Sequence, residues 1–101
     1  MSVSNGTAAL HIACLAAGVG PGDEVITPPI TFAASANCAL YCGAKPVFAD
    51  INDKTYEIDP DSVEGCITEK TKAVVAVDYT GQSADLRALR KICDARGLIL
   101  I

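Results

Sequence analysis

The chain has 101 residues, 50% of them hydrophobic and 20% charged, with 12 acidic and 8 basic side chains and a formal net charge of −4. That length holds at most one small domain. The high apolar content and low net charge exclude a disordered chain, and the mildly acidic balance lacks the clustered basic patch of a nucleic-acid binder. The longest apolar stretch, residues 8–19, is interrupted by His11 and is shorter than the roughly 20 residues that span a bilayer. No basic segment precedes it, so it does not read as a secretory signal. Residues 1–44 carry no Lys or Arg and only Asp23 and Glu24 as acids. A segment so poor in charge is expected to be packed against other protein. Five cysteines (Cys14, Cys38, Cys42, Cys66, Cys93) is an odd number set among apolar neighbours, which fits reduced, buried thiols in a cytoplasmic protein better than a disulfide framework.

Taken in chain order, helix and strand signals alternate. Residues 6–18 are mostly good helix formers with Gly18 as a stop, which predicts a short buried helix. Gly20-Pro21-Gly22-Asp23 is a turn, and Glu24–Thr27 a short strand closed by Pro28-Pro29. Thr31–Tyr41 reads as a second helix with Gly43 just beyond it. Lys45–Ile51 has strand composition and runs into the turn Asn52-Asp53-Lys54. Asp59 followed by Pro60 is a cap with proline at the first helical position, opening a helix to about Ile67. Lys72–Val77 is a continuous β-rich run, as in a strand covered on both faces. Ser83–Arg96 is amphipathic, with Leu86, Leu89, Ile92 and Cys93 on one face; Gly97 ends it and Leu98–Ile101 begins another strand. Such alternation predicts an α/β fold with mostly parallel strands and right-handed crossovers. Both termini read as interior to a larger domain, since a helix opens almost at residue 1 and the last residues lie inside a strand.

Few residues offer chemistry. Ser4-Asn5-Gly6-Thr7-Ala8 places short polar residues and a glycine at a helix start, where unpaired N–H groups and a partial positive charge suit an anion such as phosphate; an ordinary cap is the plainer reading. Phe32 follows a strand, where sheet ligands bind, and suits either stacking on a planar ring or a core aromatic at a helix start. His11, between Leu10 and Ile12, reads as a satisfied core histidine. Cys38 and Cys42 share a helix face at i, i+4, but no further ligands are visible and they read as small apolar fillers. Asp50, Asp78 and Gln82 follow strands without a settled role. No catalytic triad, Walker loop or GxGxxG occurs.

Several segments occur together in order: Ser4-Asn5-Gly6-Thr7-Ala8-Ala9-Leu10-His11, the run from Gly18 to Ile26, Pro29 to Asn37, Gly43 to Asp50, Ile58-Asp59-Pro60, Ile67 to Ala73, and Gly81-Gln82. In this combination the chain resembles the DegT/DnrJ/EryC1/StrS family of sugar aminotransferases, which use pyridoxal 5'-phosphate on the fold-type-I scaffold. The resemblance implies that the chain is the N-terminal part of the cofactor-binding large domain, with the Schiff-base lysine, the aspartate that pairs with the pyridinium nitrogen and the small domain all outside it. It assigns Asn5, Gly6, Thr7 and Ala8 to the cofactor phosphate and Phe32 to the face of the ring. It assigns no catalytic residue and no metal ligand to these 101 residues, so the chain alone is expected to be inactive. Residues 28–37 look most like the branch that aminates UDP-4-keto-6-deoxy-N-acetylhexosamines, the UDP-4-amino-4,6-dideoxy-N-acetyl-altrosamine transaminases. The implied partners are a nucleotide sugar, an amino donor (usually glutamate) and a second copy in a homodimer; nucleic acid and membrane are not among them. The reading from another class is a small non-catalytic phosphate- or nucleotide-binding α/β module.

Overall fold

The computed structural model describes residues 2–101. Asn5 opens the first helix, Gly6–Ala16 (α1), and Ala17 closes it. The left-handed backbone of Gly18 (φ 74°) then turns the chain back toward the first strand. That strand, Glu24–Thr27 (β1), has the extent expected. The second helix begins later than expected, at Ala34, and runs to Tyr41 (α2). Its start is delayed because Pro28, Pro29 and the turn after them come first, with Thr31 Oγ1 and Ser35 Oγ sharing a hydrogen bond of 2.8 Å at its entry.

The second strand is shorter than expected, Lys45–Phe48 (β2); Ile51 instead makes an isolated antiparallel bridge to Ile58. Asp59 caps the third helix, Pro60–Cys66 (α3), by accepting from the Asp61 N–H. The third strand is Thr71–Val74 (β3). The extended chain beyond it keeps bonding to its neighbours, Val75 N–H to Ile26 O and Ala76 N–H to Ile101 O. A short 3-10 turn, Tyr79–Gly81, follows in the polar loop, where the sequence carries no helix signal. The fourth helix starts at Leu86 rather than Ser83 because Asp85 supplies the cap; it runs to Arg96 (α4) and ends on left-handed Gly97. The last strand is Ile99–Leu100 (β4).

The four strands pair in parallel, in the order β2-β1-β3-β4. Successive residues of the central strands serve opposite faces, as the pleat requires. Val25, Ala73 and Val75 pack with Cys14 of α1 and Cys38 and Ala39 of α2. Ile26 and Val74 pack with Val63 of α3 and Leu89 and Cys93 of α4. The first connection leads from β1 outward to β2 over one face. The second, through α3, crosses from β2 past β1 to β3 over the other face, and the third, through α4, leads from β3 outward to β4 over that same face. The carboxyl ends of β1 and β3 are therefore the point where the connections diverge, the place where open α/β sheets bind ligands.

Two expectations about burial are corrected. In α1 only Cys14 is buried, and Leu15 is 54% exposed. The helix is apolar all round, so a single stripe (Leu10, Cys14, Ala17) meets the sheet while Ile12 and Leu15 face outward. In α4, Leu86 is 44% exposed; it sits in the first turn, beyond the rim of the core that Leu89 and Cys93 fill. The cysteines are all free thiols, four of them buried and Cys66 only half-buried.

Candidate cofactor site

The site is built around the start of α1. This helix packs along the sheet and then turns tightly into β1, so its eleven residues, about 16 Å long, carry its N-terminus back to the carboxyl edge of the sheet. Asn5 has extended backbone, and its Oδ1 accepts from the Ala8 N–H at 2.9 Å. Asn5 Nδ2 donates to Ser4 Oγ at 3.2 Å, and Asn5 O accepts from the Ala9 N–H at 3.1 Å. The Ala8 amide is thus committed to the cap. The donors left at this end are the N–H groups of Gly6 and Thr7 and the Thr7 hydroxyl. No acidic side chain stands in the first turn, so nothing there opposes an anion. A Cβ at Gly6 would meet no atom within 4 Å, so the space before the helix is open.

Phe32 lies on the loop leaving β1, at the same edge and on the α1–α2 side of the sheet. It is 79% exposed and takes no part in the core of the described residues. An aromatic ring so uncovered, at the carboxyl end of a central strand, is available to stack on a planar ligand. Helix start and aromatic are therefore brought to one edge by two different elements.

The remaining candidates have local roles. His11 is half-buried between helices, its ring tilted against Tyr41 with centroids 5.3 Å apart, so it is a helix–helix contact and not a core histidine. Cys38 and Cys42 are core fillers, joined by Cys14 from the neighbouring helix. Burial, reinforced by the neighbouring Cys38 thiol, pushes the Cys14 thiol up to about 12; burial also raises Cys42 and Cys93. Asp50 Oδ1 accepts from the Ile51 N–H at 2.8 Å. Asp78 Oδ1 accepts from the Ala84 N–H at 3.0 Å and so pins the loop into α4. Gln82 is exposed on that loop.

Sequence reasoning missed two buried polar groups. Thr27 Oγ1 and Glu57 Oε1 have no hydrogen-bond partner among the described residues. Neither carries a local signal: Thr27 closes an ordinary β-rich run, and Glu57 stands in a polar loop where an acid looks solvated.

Comparison with known proteins places the chain in a family. A protein from Geobacillus stearothermophilus named a pleiotropic regulatory protein is 54% identical over 97 residues, 96% of this chain and 26% of its own length. The UDP-2-acetamido-2-deoxy-3-oxo-D-glucuronate aminotransferase of Pseudomonas aeruginosa is 48% identical over the whole chain, which spans 28% of its length. The chain thus spans about a quarter of the curated relatives it matches. Among solved structures, NtdA from Bacillus subtilis with bound cofactor PMP superposes with a TM-score of 0.91 at 41% identity, covering 94% of this chain and 22% of that one. Residues 1–101 match the profile of one family throughout, and the chain belongs to the DegT/DnrJ/EryC1/StrS aminotransferase family.

Proposed function

We propose that these residues form the N-terminal part of the cofactor-binding large domain of a pyridoxal-phosphate-dependent sugar aminotransferase. The full-length protein would pass an amino group, from glutamate, to a keto nucleotide sugar. The observation that carries this reading is the family match over the entire chain, and the open helix start at α1 supports it. The free N–H groups of Gly6 and Thr7 and the Thr7 hydroxyl would hold the phosphate at a helix N-terminus. Asn5 would shape that end by capping it, and exposed Phe32 would cover one face of the ring and keep water from it. When bound, pyridoxal phosphate supplies the electron sink for amino transfer. This chain's own residues bind and orient; the residue that handles protons lies elsewhere in the full-length protein, and these 101 residues alone would be inactive.

For the substrate we infer a UDP-4-keto-6-deoxy-N-acetylhexosamine, on the wording of residues 28–37, Pro-Pro-Ile-Thr-Phe-Ala-Ala-Ser-Ala-Asn. The protein would work as a cytoplasmic homodimer; the apolar outer face of α1, with Ile12 and Leu15 exposed, supports further protein contact there. No described helix is long and apolar enough to cross a membrane.

The test is direct. The purified full-length protein should show the visible absorbance of bound pyridoxal phosphate. It should also convert glutamate to 2-oxoglutarate when given the 4-keto sugar nucleotide. A colourless protein indifferent to added cofactor overturns the assignment, whereas turnover only with a 3-keto sugar overturns the substrate alone.

A further inference from the structure

We propose that the pocket between the loop after β2 and the loop before α4 binds a primary ammonium or guanidinium group, a role separate from amino transfer. The pocket holds about 280 Å³; beside Ile58 and Pro60 its wall is polar, formed by Asn52, Thr55, Glu57, Gln82, Ser83 and Asp85, with no Lys or Arg in its lining. Glu57 is only 4% exposed. Its Oε2 takes a long hydrogen bond from the Tyr79 N–H at 3.4 Å, and its Oε1 is buried with no partner among the described residues. Their ion pairs join Lys45 to Glu24, Arg90 to Asp94 and Arg96 to Glu64, and none reaches Glu57 or Asp85.

A buried carboxylate oxygen without a donor is costly, and natural proteins pair such charges. The wall shows what the missing partner is. Asp85 Oδ1 already caps α4 by accepting from the Ala88 N–H at 2.9 Å, which leaves its second oxygen for a ligand. The amide oxygens of Asn52 and Gln82 add neutral acceptors. Two carboxylates flanked by amide oxygens suit a cation with several N–H donors. A compact metal ion is the poorer match, since no group of three or more His, Cys, Asp or Glu among the described residues is placed to hold one. The ligand nitrogen can come from a free amine or from a Lys or Arg side chain of surrounding protein.

The test uses the full-length protein and L-arginine amide as the probe, titrated calorimetrically against sodium chloride of equal ionic strength. Saturable binding to the wild type that weakens by about tenfold or more in Glu57→Gln, the scale of losing one charged hydrogen bond, supports the site. Asp85→Asn, which keeps the cap, should weaken it less. Binding that is equal in wild type and Glu57→Gln overturns the proposal. If the probe does not bind, a crystal structure of the wild type decides. A Lys Nζ or Arg guanidinium within hydrogen-bond distance of the Glu57 carboxylate identifies a protein side chain as the ligand, and water alone there overturns the site. Cofactor absorbance is read alongside, so failure of this site is distinguishable from failure of the aminotransferase assignment.

Discussion

Asn5 Oδ1 accepts from the Ala8 N–H at 2.9 Å, and this one contact separates the two duties of the helix start. It fixes the first turn of α1 while leaving the Gly6 and Thr7 amides free. Asn5→Ala removes the cap and should cost about 1 kcal/mol of stability, measured by denaturant unfolding of the full-length protein. Asn5→Asp keeps the cap but places a negative charge beside the phosphate. It should therefore leave stability near wild type while weakening cofactor affinity. Unchanged affinity in the aspartate variant would mean that no anion binds at this end.

Thr7→Val tests the hydroxyl without emptying the site. The valine keeps the shape and loses one donor, so cofactor retention on dialysis should fall with the unfolding midpoint little changed. Phe32→Ala tests the other wall. The side chain is 79% exposed, so its loss should barely affect the apoprotein's stability. Cofactor affinity should fall by about tenfold if the ring stacks on the ligand, the scale of an aromatic contact. A large loss of apoprotein stability would return Phe32 to a packing role.

Leu86 and Leu89 lie on the same helix and share its apolar stripe in the sequence, yet the structure buries only Leu89. Leu89→Ala should destabilise by about 2–5 kcal/mol through the cavity it leaves. Leu86→Ala should stay within about 0.5 kcal/mol. Equal losses at the two positions would show that the start of α4 is covered as well.

That pair also shows what the sequence could and could not reveal. Strand β1, the Asp59-Pro60 opening of α3 and the Gly97 end of α4 were legible because each rests on local chemistry: a β-rich run, a cap and a left-handed glycine. The parallel α/β architecture followed from their alternation, and the Asn5–Thr7 end of α1 from its short polar residues. Burial was less legible. α1 is apolar on every side, so its periodicity does not say which stripe faces inward, and Leu15 points out while Cys14 points in. The convergence of Cys14 with Cys38, and of Glu57 with the Asp85 loop, is a product of the crossovers and has no signature in either segment alone.

The Cys14 thiol gives a pH test of the core. Burial against the sheet and α2, with the Cys38 thiol beside it, pushes it from an ordinary value of 9.0 up to about 12. Below about pH 9 the thiol is protonated in both folded and unfolded chains and stability does not depend on it. Between about 9 and 12 the unfolded chain loses the proton and the folded chain keeps it, so stability falls as pH rises, at a rate approaching about 1.4 kcal/mol per pH unit. Cys14→Ala removes this term. The unfolding midpoint of the variant should therefore fall less steeply above pH 9 than that of the wild type, whatever its absolute stability. The buried Cys93, also raised by burial, remains in both proteins and contributes a common background slope. Parallel pH profiles for wild type and variant would show that Cys14 ionises as readily in the folded core as in the open chain, and that α1 does not seal the sheet over it.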